Sequence, residues 1–337
     1  MSTKAPTIRD VAELAGVSAQ TVSCVINGKG SISAATRLRV MQAIETLNYR
    51  RNPIARSMRT RQTGLIGLLV LDIISPVLST IASTVEAAAY AEEYNVLLYN
   101  VGHSVRRERD FVEKAADRRV DGLIIVNAVD ETHSIEMVAQ SSVPTVLVAS
   151  IETTAVPSVS TDNIRGAYLA TQHAIELGHR EIAHISGALE LAVARHRVQG
   201  YQQALDDYGL SYRRVVTPRG NRWSYRDGYE AMQRLLQMSP RPTAVFVAGD
   251  QMAIGAYRAL TEAGLSVPDD MSVIGFDDIE AAMFTAPPLT TIRQPFYEIA
   301  TQAFSLLLQI MDGQRPQGAQ IILPPELIVR ESTRSVG

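Results

Sequence analysis

Three short amphipathic segments open the chain. In residues 8–15 the apolar positions Ile8, Val11, Ala12 and Ala15 recur at three and four residues, the spacing of one helical face. In residues 17–27, Val22, Val25 and Ile26 do the same, and Ala19, Gln20, Ser23 and Cys24 take the other side. Gly16 separates the two. Thr7 with Asp10 reads as a capping box, and Ser18 stands where an N-cap belongs. A third helix is expected over 34–47, capped by Ser33, with Leu38, Val40, Met41, Ile44 and Leu47 as its buried side. Two short helices around a glycine turn predict an all-α helix-turn-helix headpiece.

From Gly64 the period changes. Near-continuous apolar runs at 65–71, 96–99, 120–127 and 145–149 alternate with helical stretches at 76–94 and 106–118. A second series begins at Asn163, with strands expected at 182–186, 212–217, 243–248 and 271–275 and helices at 163–177, 195–208, 226–238 and 252–263. This pattern predicts an α/β core of two doubly wound parallel-sheet lobes. Residues 289–292 are expected to return the chain to the first lobe, where 296–311 form a helix. A last crossing near 321–323 then leads to 327–330 in the second lobe. The expected division is a DNA-binding domain at 1–50, a linker at 51–63, lobe one at 64–162 and 293–324, and lobe two at 163–292 and 325–337.

Overall charge is −3, but it is unevenly distributed. Residues 1–62 carry ten Lys/Arg against three Asp/Glu, and the remainder carries twenty-two against thirty-two. A compact basic module on an acidic body is a nucleic-acid signal. One cysteine leaves no intramolecular disulfide or cysteine-rich zinc site. Neither a signal peptide nor a run of about 18 apolar residues is visible, so the expected home is the cytoplasm, on the nucleoid. There is no G-x-G-x-x-G after the first strand, no P-loop, no G-x-S-x-G and no H-E-x-x-H, which argues against an enzyme. No metal is expected from His103, His133, His173, His179, His184 and His196, and no cofactor is implied. Asp72, Asp250 and Asp277 are set aside as a hydrolase pair because the basic module accompanies them.

The strings Thr7-Ile8-Arg9-Asp10-Val11-Ala12, Val17-Ser18-Ala19-Gln20-Thr21-Val22-Ser23, Val25-Ile26-Asn27 and Thr36-Arg37-Leu38-Arg39-Val40 stand at spacings that resemble the lactose-repressor family. The resemblance implies that the second helix enters the major groove. Thr7, Ser18, Ala19, Gln20, Thr21, Ser23, Cys24, Asn27 and Arg37 become candidate DNA contacts, with Gln20 suited to an adenine edge and Ala19 to a thymine methyl. Cys24 departs from the family's usual arginine. It reads either as a half-buried packing residue or as a thiol at the DNA face. Residues 53–59 are too few to hold a helix alone in water. They resemble the family's hinge helix, which pairs in the minor groove. Asn52, Ala55, Arg56, Met58 and Arg59 are its candidate contacts, and Met58 is the apolar wedge.

The resemblance extends through the core, to a periplasmic-binding-protein type of fold with a ligand between the lobes at strand ends. It marks Asp72 and Ser75 after the first strand, although Ser75 and Val77 stand where the family often has an asparagine and an aromatic, Asn127 after the third, Asp162 at a crossing, Arg197 in Arg197-Val198-Gln199-Gly200-Tyr201, Trp223, Asp250 in Ala248-Gly249-Asp250, and Asp277. Gly249 departs from the family's asparagine. Plainer readings stand beside these: a core aromatic for Trp223, a helix cap for Asp277 and a surface ion pair for Arg197. The residue set suits a neutral sugar, with a nucleoside or purine as the competitor. The implied protein is a homodimer on a pseudo-palindromic operator, paired through 77–94 and 252–263, and released by its effector. A corepressor-dependent regulator is the alternative, and a solute-binding protein a remote one. No C-terminal heptad supports a coiled-coil tetramer.

Overall fold

The computed structural model describes residues 6–26, 28, 30–49, 63–115, 120–127, 131–148, 156–211, 214–220, 222–314 and 320–336. They fall in two compact units, within Met1–Thr63 and Gly64–Gly337. Asn27, Asn52, Ala55, Arg56, Met58 and Arg59, with the rest of the expected hinge at 51–62, lie outside the described residues.

In the first unit α1 (Ile8–Ala15) starts on a complete capping box. The Thr7 side chain accepts from Asp10 N–H, and the Asp10 carboxylate accepts from Thr7 N–H at 2.6 Å. Gly16 ends α1 in the left-handed region (φ 62°), which a glycine adopts without a Cβ clash. Ser18 then caps α2 (Ala19–Ile26) through Thr21 N–H at 3.1 Å, and Ser33 caps α3 (Ala34–Thr46). Val11, Ala12, Ala15, Val22, Val25, Val40 and Ala43 form the core of the module. The expected buried side of α3 needs correction, because Leu38 and Met41 are 60% and 53% exposed. The facing stripe runs through Val40, Ala43, Ile44 and Leu47, and Leu38 and Met41 lie off it around the helix.

Among the described residues the second unit carries two six-stranded sheets. The first contains β1 (Leu65–Val70), β2 (Asn95–Asn100), β3 (Gly122–Val126), β4 (Thr145–Val148), β5 (Ser158–Thr161) and β11 (Gln320–Leu323), in the order β11-β5-β4-β3-β1-β2, all parallel. The second contains β6 (Ile182–Ile185), β7 (Arg214–Val216), β8 (Ala244–Val247), β9 (Ser272–Asp277), β10 (Thr290–Arg293) and β12 (Glu326–Ile328), in the order β12-β10-β9-β8-β6-β7. It is parallel except at its edge, where β12 runs antiparallel to β10. The strand at 290–293 belongs to lobe two, one residue past the expected boundary at 292, and the chain returns to lobe one directly after it. Within lobe two it pairs with β9.

Helices α4 (Pro76–Ala91), α5 (Val105–Ala115), α6 (Glu131–Gln140) and α11 (Phe296–Met311) belong to lobe one. Helices α7 (Asn163–Glu176), α8 (Ala192–Asp207), α9 (Tyr225–Leu235) and α10 (Asp250–Glu262) belong to lobe two. Strand alternation decides which face each pair covers. In β8, Ala244 and Phe246 pack with α7 and α8, whereas Val245 and Val247 pack with α9 and α10. The α9 and α10 backbones touch at glycines: a Cβ on Gly228 would meet Met252 O at 1.9 Å, and one on Gly255 would meet Tyr225 O at 1.8 Å.

Candidate functional site: a cleft between two lobes

The carboxyl ends of both sheets open on one cavity of about 130 Å³. Lobe one lines it with Asp72 and Ser75 after β1, His103 after β2, Asn127 after β3, and Ser160 and Thr161 at the end of β5. Lobe two adds Asn163, Arg197, Arg222, Trp223, Gly249, Gln251 and Asp277. Gln294 and Phe296 come from the crossing after β10, and aliphatic side chains such as Leu78, Ile81, Val126 and Val193 supply much of the remaining wall.

The polar end is a side-chain circuit. Thr161 Oγ1 donates to Gln294 Oε1 at 2.7 Å, and Gln294 Nε2 donates to Asp277 Oδ1 at 2.6 Å. Asp277 faces Arg197 Nη1 at 3.9 Å. Arg197 Nε donates to Asn163 Oδ1 at 2.8 Å, and Asn163 Nδ2 returns to Thr161 O at 3.0 Å. Arg197 Nη1 also donates to Ala248 O. The guanidinium lies 3.6 Å over the Phe276 ring and 5.3 Å from that of Trp223, so it is held on its faces as well as its edges. Burial lowers Arg197 to about 10, against the pull of Asp277 and Asp250. Burial also raises the Asp277 carboxyl to about 6, with Arg197 and Gln294 opposing.

Of the residues marked in the sequence, Asp72, Ser75, Asn127, Arg197, Trp223 and Asp277 line this cavity, and Asp162 and Asp250 do not. Asp162 caps α7, accepting from Arg165 N–H at 2.8 Å. Asp250 is fully buried beneath the site. Its oxygens accept from Thr291 Oγ1 at 2.6 Å and from Ile279 N–H at 3.0 Å, and burial with Asp277 nearby raises its pKa. Arg197 is 4% exposed, so it is not a surface ion pair.

His103, Thr161, Asn163, Arg222, Gln251, Gln294 and Phe296 are lining residues that motif matching missed. The signal for two of them was available. His103 and Gln294 follow the ends of β2 and β10, and strand carboxyl ends are where such folds place ligands.

In the headpiece, Thr7, Ser18, Gln20 and Arg37 are exposed, while Ala19, Thr21, Ser23 and Cys24 are half-buried. Gln20 thus projects from the module, and Ala19 is packed against its core.

A helix-turn-helix joined in one chain to a two-lobed core with a cleft between the lobes defines a ligand-binding DNA-binding regulator. Residues 7–52 match the model of the bacterial regulatory proteins of the lacI family, and residues 171–333 match the periplasmic binding protein-like domain. The HTH-type transcriptional repressor PurR of Haemophilus influenzae (strain PittEE) is 38% identical over 334 residues, 98% of this chain and 99% of that protein. Catabolite control protein A of Priestia megaterium is 36% identical over 331 residues, 97% of this chain and 99% of its own. Among solved structures, the lac repressor dimer bound to operator and the anti-inducer ONPF superposes with a TM-score of 0.89 at 34% identity, covering 98% of this chain and 100% of that one.

The chain belongs to the lacI family, and it is a DNA-binding transcriptional repressor with an effector-binding core. No described helix is long and apolar enough to cross a membrane.

Proposed function

We propose that the protein is a dimeric cytoplasmic repressor, working at the nucleoid, that leaves a pseudo-palindromic operator when a small neutral sugar-like effector fills the cleft. In this reading residues 1–50 read DNA and 51–63 form the hinge. Residues 64–162 with 293–324, and 163–292 with 325–337, are the lobes whose relative rotation is transmitted through the hinge. Gln20, with Ala19 and Cys24 beside it, meets base edges. Thr7, Ser18, Thr21, Ser23, Asn27 and Arg37 position the helix. Asn52, Ala55, Arg56, Met58 and Arg59 act in the minor groove.

One juxtaposition carries the effector assignment. A Cβ on Gly249 would lie 3.3 Å from Asp277 Oδ2 and 3.6 Å from Trp223 Cε3, so the glycine lets a carboxylate and an indole converge on one stretch of the cavity wall. A sugar ring offers hydroxyls to the first and an apolar face to the second. The cavity also accommodates on the order of ten water-sized groups, the scale of a single small ring system. A purine base is the second reading, supported by Phe296, which gives the cavity another aromatic wall.

The test is operator DNA selected from a random pool, followed by gel-shift and calorimetry with D-ribose, D-glucose and hypoxanthine. Release of DNA by a sugar supports the first reading and release by hypoxanthine the second. Tighter DNA binding on addition makes the ligand a corepressor. No response to any probe rejects these three compounds as effectors.

A further inference from the structure

Gly187 stands two residues past the end of β6, and it is buried. A Cβ there would meet Trp223 Cζ2 at 2.1 Å, Cη2 at 2.3 Å and Cε2 at 2.6 Å. Near-equal distances to Cζ2 and its two bonded neighbours place the glycine over the face of the six-membered ring, not at its edge. Trp223 lines the cavity and Gly187 does not, so bare backbone lies behind the indole and the cavity in front of it.

This glycine is not there for its torsion. Its φ is outside the left-handed region, so the backbone is open to any residue. What a side chain would meet is the indole.

Neither chain segment has slack. Ser186 N–H donates to Val216 O at 3.1 Å and Ser186 Oγ donates to Thr217 Oγ1 at 3.1 Å, which ties the Gly187 loop to β7 and the residue after it. Trp223 directly precedes Ser224, the N-cap of α9. Ser224 N–H donates to Asp227 Oδ2 at 3.0 Å and Asp227 N–H to Ser224 Oγ at 3.2 Å, a complete capping box. The Trp223 backbone is itself left-handed at φ 56°, which a bulky residue adopts where its surroundings enforce it. The other neighbours of the ring are looser. Arg197 Cζ is 5.3 Å from its centroid, and a Cβ on Gly249 would be 3.6 Å from Cε3. The direction open to a displaced indole is therefore into the cavity.

We propose that Gly187 is a positioning residue of the effector site. It seats the Trp223 indole on bare backbone, and the depth this leaves in front of the ring selects effectors that lay one flat ring face against it. This rests on the cleft being the effector site. A methyl at 187 needs an ordinary contact with the ring, which moves the indole forward by at least about 1.3 Å, into the space of the ligand. The loss is one of volume, so a smaller ring at 223 cancels it.

Ser-Gly occurs once in the chain, at 186–187. Full-length protein made by cell-free synthesis with 13C-carbonyl serine and 15N-glycine therefore gives one selected Gly187 signal. Without ligand, the Gly187 proton signals should lie upfield, displaced by the ring current of the indole. In W223F, which lacks the ring atoms over the glycine, they should move back toward ordinary positions. Calorimetry then compares wild type, G187A, W223F and G187A/W223F with D-ribose, D-glucose and hypoxanthine. For a probe that binds wild type, G187A should weaken binding at least about tenfold, whereas the same change made in W223F should alter it less than about twofold.

Ordinary Gly187 shifts in the ligand-free protein overturn the proposal. So does G187A binding within about twofold of wild type, or an equal loss in both backgrounds. If G187A does not fold, or W223F binds no probe, the upfield shift and its loss in W223F decide. If no probe binds wild type, these three compounds fail as effectors, and the same signal still decides for or against the seat.

Discussion

The side-chain amide of Gln294 donates to Asp277 Oδ1 at 2.6 Å, joining the crossing that leads into lobe one to the end of the central β9 strand of lobe two. Thr161 Oγ1, from the lobe-one sheet, holds the other end of the same amide at 2.7 Å. A change in lobe orientation is therefore felt at a carboxylate that lines the cleft. Gln294→Leu breaks both bonds while keeping the bulk. It should lower effector affinity by about 1–3 kcal/mol, read by calorimetry with the probe that binds wild type. Unchanged affinity would remove Gln294 from the binding circuit.

Burial sets the expected pH profile. The Asp277 carboxyl is raised from 3.8 to about 6. Between those values the native state holds a proton that the unfolded chain has lost, so this group's contribution to stability falls as pH rises from 3.8 to about 6. An effector that uses the ionised carboxylate behaves oppositely. Its affinity should weaken as pH drops through about 6, by up to about tenfold per pH unit. Calorimetry from pH 5 to 8 checks this, and Asp277→Asn should flatten the profile.

Asp250 should matter for stability rather than as a direct contact. Asp250→Ala leaves Thr291 Oγ1 and Ile279 N–H buried without their acceptor, at about 1–3 kcal/mol for each group. Asp250→Asn should cost less, because an amide oxygen still accepts. Denaturant melts of the three proteins check the order. Wild-type stability in the alanine variant would contradict the buried-acceptor role.

Close helix contact predicts a second stability effect. Gly255→Ala places a methyl 1.8 Å from Tyr225 O, so α9 and α10 must move apart. The expected loss is about 1–3 kcal/mol, visible as a lower denaturant midpoint.

DNA reading is testable by selection. Gln20→Ala should lose about 1–3 kcal/mol of discrimination at one base step, with little change on random DNA. Cys24→Arg should move the selected base at its step toward guanine. Equal losses on selected and random DNA, or an unchanged selection profile, would sink the respective assignments.

The local signals were legible in sequence because they rest on neighbours in the chain. The Thr7–Asp10 capping box, the Ser18 and Ser33 caps and the Gly16 turn each involve residues a few positions apart. The alternation of buried strands and helices likewise reports a local period, so the headpiece and both lobes could be drawn in outline. Motif matching also marked Arg197, Trp223 and Asp277, which line the cavity: Asp277 ends β9, Trp223 precedes the start of α9, and Arg197 lies within α8.

Sequence determined the order and type of most elements here, and the residue chemistry at the ends of several strands. Tertiary structure decided which side chains face the cleft. Asp162 and Asp250 have the right chemistry and neighbouring positions, yet a cap and a buried Thr291 take up their oxygens. Thr161, Gln294, Asp277, Arg197 and Asn163 are separated by as many as 133 residues in the chain and meet only when both sheets are built. Strand β10 stayed in lobe two because its partner β9 offered a full parallel ladder there. A local pattern records which face a residue prefers to bury. It does not record which distant group will satisfy a donor or acceptor, and those pairings depend on strand order and on the approach of the two lobes.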